Sequence, residues 1–258
     1  MNRPLVCVSL RGRTAAEVVA DFSHAKSLGA EMVEVRLDNL WLSADNSPNG
    51  EESGESEQKA ENPGLEDVDL VSSLSEITEA IDLPIILACR SINQGGFFPG
   101  NEDSRTEALK LAIGTNPSWI DLEIDIPPKI RANLVDSLGE GTKVIASVHY
   151  LDKIPSSSQI VQEIEDSASL GELIKVCIKT KSRTDGFRIF EAALRLRESD
   201  IKTAVMGLGP GGDWTRIHAP LLEQSLVYTT TEYDPYLAQK GRINISDLQM
   251  AWSMLEYS

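Results

Sequence analysis

Two side chains in the sequence could do covalent and proton-transfer chemistry together. Lys175 stands inside the apolar run Leu173–Ile178, and His149 closes the run Val144–Val148. A charged amine inside a buried run is costly unless it is used. An amine that attacks a carbonyl works as the free base, and burial with neighbouring cations favours that form. Condensation with a ketone would give an iminium, which acidifies the adjacent carbon. A histidine nearby could then take that proton and later hand it to a leaving hydroxyl. Other polar residues fall at the ends of similar runs: Glu34, Arg36, Asp38, Arg90 and Glu123, with Arg216 following the glycine-rich Gly207–Gly212. A lysine, a histidine, three arginines and carboxylates at one mouth suit a carboxylated small molecule bearing a carbonyl. Ordinary structural roles compete with this. Arg36 can pair with Glu34 or Asp38, Glu123 can be a buried ion-pair partner, and a strand lysine can reach solvent.

The elements that must position these groups are short apolar runs with helical patterns between most of them. The runs are Leu5–Leu10, Met32–Leu37, Ile85–Cys89, Ile120–Ile124, Val144–Val148, Ile174–Ile178, Ala204–Met206 and Leu226–Tyr228. Runs of this length, bounded by polar or Gly/Pro residues, read as parallel strands buried on both faces. Thr14 with Glu17 predicts a capping box and a helix ending at Gly29. Further amphipathic stripes lie at Glu102–Ile113, Ser158–Leu170, Gly186–Leu196 and Ser246–Leu255, the last with Leu248, Ala251, Trp252 and Leu255 inward. The polar residues near the run ends recur every 22–33 residues, apart from one gap of 56 between Glu34 and Arg90. That period predicts a (β/α)8 TIM-type barrel of one domain spanning 1–258. A doubly wound sheet is disfavoured, because Ser9-Leu10-Arg11-Gly12-Arg13 follows the first run in place of a glycine fingerprint.

The long gap holds the segment 43–69, with nine acidic residues against Lys59 alone and few apolar ones. It is expected to be a flexible acidic insertion after the second strand. Net charge over the 258 residues is −16, which argues against nucleic-acid and anionic-membrane partners. No run approaches the roughly 20 apolar residues of a membrane span, and the first residues lead straight into a strand, so no signal peptide is expected. Cys7, Cys89 and Cys177 lie within apolar runs without metal-ligand spacing. They read as reduced thiols of a cytoplasmic protein, with no structural metal.

The ordered motifs resemble the type I 3-dehydroquinate dehydratase family. Glu34-Val35-Arg36-Leu37-Asp38, Cys89-Arg90-Ser91, Gly95-Gly96, Asp121-Leu122-Glu123, Ser147-Val148-His149, Lys175 and Thr215-Arg216 follow its pattern over nearly the whole chain outside 43–69. The resemblance implies a cofactor-free, metal-free, homodimeric barrel that eliminates water from 3-dehydroquinate through a Schiff base. It implies that Lys175 forms the imine and His149 shuttles the proton. Glu34, Arg36, Arg90 and Arg216 would hold substrate, with Ser9 a further contact. Three departures stand out. Gln94 replaces a glutamate, so carboxylate help to His149 is expected to be absent. Tyr150 follows the histidine where an aspartate is usual. Asp234–Arg242 replaces the serine-containing lid, leaving Gln239 or Arg242 as its substrate contact. Two other readings stay open: a different lysine-imine lyase or aldolase, and a degenerate barrel that only binds a metabolite.

Overall fold

The computed structural model describes residues 3–43 and 61–257. Its eight strands are β1 (Leu5–Leu10), β2 (Met32–Arg36), β3 (Ile85–Ala88), β4 (Trp119–Glu123), β5 (Lys143–Tyr150), β6 (Leu173–Lys179), β7 (Thr203–Leu208) and β8 (Leu226–Thr229). The helices are α1 (Ala15–Ser27), α2 (Leu70–Ala80), α3 (Glu102–Gly114), α4 (Pro128–Asp136), α5 (Ser157–Ser167), α6 (Arg183–Leu196), α7 (Trp214–Ile217) and α8 (Ile245–Met254). The strands are all parallel, in the order β7-β6-β5-β4-β3-β2-β1-β8. The remaining seam between β7 and β8 is bridged by Ser225 N–H donating to Thr203 O at 3.0 Å. This is the expected eight-stranded (β/α) barrel, and each predicted apolar run became a strand. Two-sided burial explains the agreement: a strand packed inside the barrel and under a helix needs apolar residues on both faces.

Helix starts follow local chemistry. Thr14, Asp69, Asn101, Ser156 and Asn244 each accept from the backbone amide three residues on. The capping box expected at Thr14 is half formed. Thr14 Oγ1 takes Glu17 N–H at 3.2 Å, but the Glu17 carboxylate turns to Arg13 N–H at 2.8 Å. In α8, Leu248 and Trp252 are buried as expected, whereas Leu255 lies past the helix end and is exposed.

Most of the expected acidic insertion lies outside the described residues. Its described end is used structurally: Leu65–Asp67 form a 3-10 turn, Trp41 Nε1 donates to Leu65 O at 3.4 Å, and Asp69 caps α2.

Apolar side chains fill two regions. Between sheet and helices lie Val33, Val35, Leu109 and Ile120 with their neighbours, continued on the β5–β7 side by Ile174, Val176 and Ile189. Within the barrel, Cys7, Met32, Ile86, Ile145, Leu173 and Leu226 contribute to a second, smaller core. Barrel interiors are filled by layers drawn from alternate strands. Here one polar layer comes from the even-numbered strands: Glu34 on β2, Asp121 on β4, Lys175 on β6 and Tyr228 on β8.

Candidate active site

Lys175 is the centre of that layer and is 3% exposed. Its Nζ donates to Glu34 Oε1 at 2.7 Å and Asp121 Oδ2 at 3.0 Å, and lies 4.3 Å from the centre of the Tyr228 ring. Ser9 Oγ donates to the other Glu34 oxygen at 2.9 Å, and Ser147 Oγ to the other Asp121 oxygen. Both serines are placed by register, Ser9 opposite Glu34 and Ser147 opposite Lys175. Contact with two carboxylates corrects the expectation that burial and cations alone would surround the amine. Burial pushes Glu34 up, but Lys175, Arg90 and Arg36 outweigh it and hold its titration at about 2.

Asp38 organises the next tier. It is fully buried and pairs in a fork with Arg36, whose Nε donates to Oδ1 at 2.8 Å. It also accepts the backbone N–H groups of Arg90 at 3.1 Å and Phe97 at 3.0 Å. Burial again acts to raise its titration, and Arg36 and Arg90 together bring it below the ordinary carboxylate value. Arg36 thus takes the structural pairing foreseen as its alternative, while still lining the cavity. The loop after β3 is drawn tight at Gly96, where a Cβ would fall 2.0 Å from Arg90 O. Gly95 takes the left-handed conformation, φ 81°. The Arg90 guanidinium makes no hydrogen bond to protein among the described residues and faces the cavity.

His149 is buried at the top of β5. Its backbone N–H and its Nδ1 both meet Gln94 Oε1, at 3.0 and 2.9 Å, and Gln94 Nε2 donates to Asp125 Oδ1 at 2.7 Å. Its Nε2 has no hydrogen-bond partner among the described residues. Burial, then Arg90, Lys175 and Arg36, keep the ring neutral well below its usual titration. Gln94 thus meets the ring as a neutral amide, and Asp125 stands one link behind it.

Ser9, Glu34, Arg36, Arg90, His149, Lys175, Arg216 and Arg242 line one cavity of about 230 Å³ at the C-terminal mouth of the barrel. Gln239 does not. It is exposed in the turn Leu237–Lys240, so of the two lid alternatives the structure brings only Arg242 to the mouth. Arg242 lies 3.8 Å from Glu232, which also holds Arg11. Arg216 proves partly structural. Nη1 donates to the carbonyls of Gly207, Gly212 and Gly241 at 2.7, 2.7 and 2.5 Å, and Nε to Tyr228 O at 3.1 Å. That ties the glycine-rich turn after β7 to the lid loop. Burial lowers its titration to about 10.

Glu123 is an ion-pair partner outside the cavity: Oε1 accepts Ser91 N–H at 3.1 Å and Oε2 lies 3.2 Å from Arg105. The sequence places Glu123 at the mouth with an ion-pair role as its alternative, and does not single out Asp121 or Tyr228 as site residues. The available signal was strand parity, since Asp121 is two residues before Glu123 and shares its face.

Fold and site together define a (β/α)8 barrel built around one buried amine, the class to which lysine-imine lyases belong. Comparison with known proteins is specific. The chain belongs to the type I 3-dehydroquinase family, whose model matches residues 6–258. A curated 3-dehydroquinate dehydratase of Methanocaldococcus jannaschii is 27% identical over 192 residues, covering 73% of this chain and 85% of the relative. One of Methanopyrus kandleri is 22% identical over 252 residues, covering 97% and 100%. The fold is shared with the crystal structure of the type I 3-dehydroquinate dehydratase of Clostridium difficile, with TM-score 0.80 and 20% identity, covering 99% of this chain and 93% of that one.

Proposed function

We propose that this protein is a 3-dehydroquinate dehydratase, a carbon–oxygen lyase converting 3-dehydroquinate to 3-dehydroshikimate by syn elimination of water. The observation that carries this is the pairing, in one arginine-rimmed cavity, of a buried lysine amine with a histidine whose Nε2 is unpartnered. Lys175 Nζ adds to the substrate ketone, and loss of that oxygen as water leaves an iminium. Glu34 and Asp121, already in contact with Nζ, accept its proton before attack and hold the cationic nitrogen afterwards. The iminium draws electrons from the adjacent C–H bond, whose proton passes to His149 Nε2 and leaves an enamine. The enamine expels the β-hydroxyl, which takes that proton from His149 and departs as water. Hydrolysis of the conjugated imine frees the product and the amine. Arg90 is the cation best placed to hold the substrate carboxylate, with Arg242 at the rim and Arg216 Nη2 behind it; Ser9 acts through Glu34.

In the same reading the protein acts in the cytoplasm, as one catalytic domain interrupted by the acidic segment 43–69, and pairs as a homodimer. Among the described residues no helix is long and apolar enough to cross a membrane, and Cys7, Cys89 and Cys177 are free and buried. Exposed Phe187 and Leu194, seven residues apart on α6, offer an apolar face for a second copy. Sedimentation measures that assembly.

The decisive experiment incubates the protein with 3-dehydroquinate, follows the absorbance of the conjugated enone, and traps with borohydride before peptide mass spectrometry. A reduced adduct on Lys175, with turnover abolished in Lys175→Ala, is expected. No adduct and undiminished turnover in that variant would overturn the assignment.

A further inference from the structure

We infer that Gln94, anchored by Asp125, locks His149 in its Nδ1–H tautomer and so makes Nε2 the only proton-transfer atom of the ring. The orientation of the Gln94 amide is determined at both ends. Its oxygen faces the His149 backbone N–H, which can only donate, and its nitrogen faces a carboxylate oxygen of Asp125, which accepts. Turning the amide over would oppose donor to donor at one end and oxygen to carboxylate at the other. With Oε1 fixed 2.9 Å from Nδ1, that ring nitrogen must carry the proton. The neutral ring then has its lone pair at Nε2, the buried atom without a partner. Asp125 is thereby a positioning residue for the site: it touches neither His149 nor the cavity, and acts through one amide.

The same geometry sets how the base behaves. A glutamine accepts from neutral and protonated imidazole alike, whereas a carboxylate there would favour the imidazolium. Among the described residues, the charged and titratable groups around the ring are Arg90 after β3, Arg36 on β2, Lys175 and Cys177 on β6, and Asp125 behind the amide, and no carboxylate touches it. His149 is consequently a weak base and, once protonated, a strong acid toward the departing hydroxyl. The catalytic use of Nε2 rests on the dehydratase reading; the tautomer itself is a property of the free protein.

The test is ¹⁵N NMR of histidine-labelled protein without substrate. The chain has three histidines, so substitutions at His24 and His218 assign the third. Wild type is expected to show the Nδ1–H form in excess, and Gln94→Ala and Asp125→Ala a mixture of tautomers. Gln94→Glu paired with Asp125→Asn, which gives the new carboxylate an amide donor in place of an opposing anion, is expected to keep the tautomer and to raise the titration of His149 by about 1–3 pH units, moving the acidic limb of kcat/KM with it. In Gln94→Ala, kcat is expected to fall about 10-fold or more with little change in KM, and the Gln94→Glu/Asp125→Asn pair to recover much of it. A dominant Nε2–H tautomer, or one unaltered by Gln94→Ala and Asp125→Ala, overturns the inference. Wild-type protein showing the Nδ1–H tautomer but no turnover of 3-dehydroquinate supports the inference and sinks the dehydratase reading.

Discussion

Replacing Lys175 with methionine should destabilise the protein at neutral pH, although the change removes a charge from the core. Removing a buried charge commonly stabilises when its partners leave with it. Here they remain. Glu34 Oε1 and Asp121 Oδ2 lie 2.7 and 3.0 Å from Nζ, and both residues are under 5% exposed. Breaking one side of a buried ion pair costs about 3–5 kcal/mol. Methionine fills most of the lysine volume, so the packing contribution is below about 1.5 kcal/mol. Glu34 gives a second route to the figure. It titrates at about 2 in the folded protein against an ordinary 4.5. At about 1.4 kcal/mol per pH unit, that difference corresponds to about 3 kcal/mol, with Arg90 and Arg36 supplying a share that the variant keeps. For a chain of this size, about 3 kcal/mol lowers Tm by about 6–12 °C.

The pH dependence carries the sign of the argument. A carboxylate with a depressed folded titration contributes stability that is fully present above 4.5 and is lost as pH falls toward 2. The deficit of Lys175→Met against wild type is therefore full at about pH 7 and narrows as pH drops below 4.5. Urea melts of wild type, Lys175→Met and Lys175→Met/Glu34→Gln across that range measure it. The double variant should recover part of the loss, because a neutral amide no longer opposes Asp121. A single variant as stable as wild type at about pH 7, or a deficit independent of pH, would refute the reasoning.

His149→Ala should still trap an adduct on Lys175, while elimination slows by about 10²–10⁴-fold in a single-turnover assay. Tyr228→Phe removes a buried hydroxyl without a partner and should raise stability by about 1 kcal/mol in denaturant melts, with trapping intact. Tyr228→Leu, which loses the ring beneath the cationic nitrogen, should trap about 10-fold less adduct. Gly96→Ala places a Cβ against Arg90 O, so the loop must shift; a rise in KM with a stability loss of about 1–3 kcal/mol is expected from steady-state kinetics and melts.

The barrel was legible because two-sided burial writes each strand as a continuous apolar run, and Lys175 and His149 were legible because they interrupt or close such runs. What a run does not reveal is which polar residue near its end turns into the barrel and what it meets there. Asp121 and Glu123 share one strand face, yet the first reaches Lys175 and the second reaches back to Ser91 and Arg105. Arg36 and Arg216 both line the cavity as expected. How much of each guanidinium is already engaged, by Asp38 or by three loop carbonyls on Nη1, depends on neighbours 2 to 25 residues away. Gln239 lies outside the cavity lining for a similar reason: the lid loop turns at Gly241 in the left-handed conformation, φ 67°, where a Cβ would lie 2.5 Å from Gly209 O. That close approach directs Arg242 inward and leaves Gln239 outside.

The layer of Glu34, Asp121, Lys175 and Tyr228 also explains how a lysine paired with carboxylates can serve as a nucleophile. A lysine ammonium and the iminium formed by way of its free base carry the same charge at the same atom. Dipoles and charges fixed for one are therefore already arranged for the other, and the layer needs no reorganisation across the covalent step. The free amine lies between them, and the proton lost in forming it has two acceptors in hydrogen-bond contact. In the proposed reaction the incoming carboxylate would be neutralised elsewhere, by arginines at the rim, and so would not compete with Glu34 and Asp121 for the cationic nitrogen. Separating these two charge sites, one at the rim and one at the even-strand layer, would let a single small cavity bind an anion while stabilising a cation.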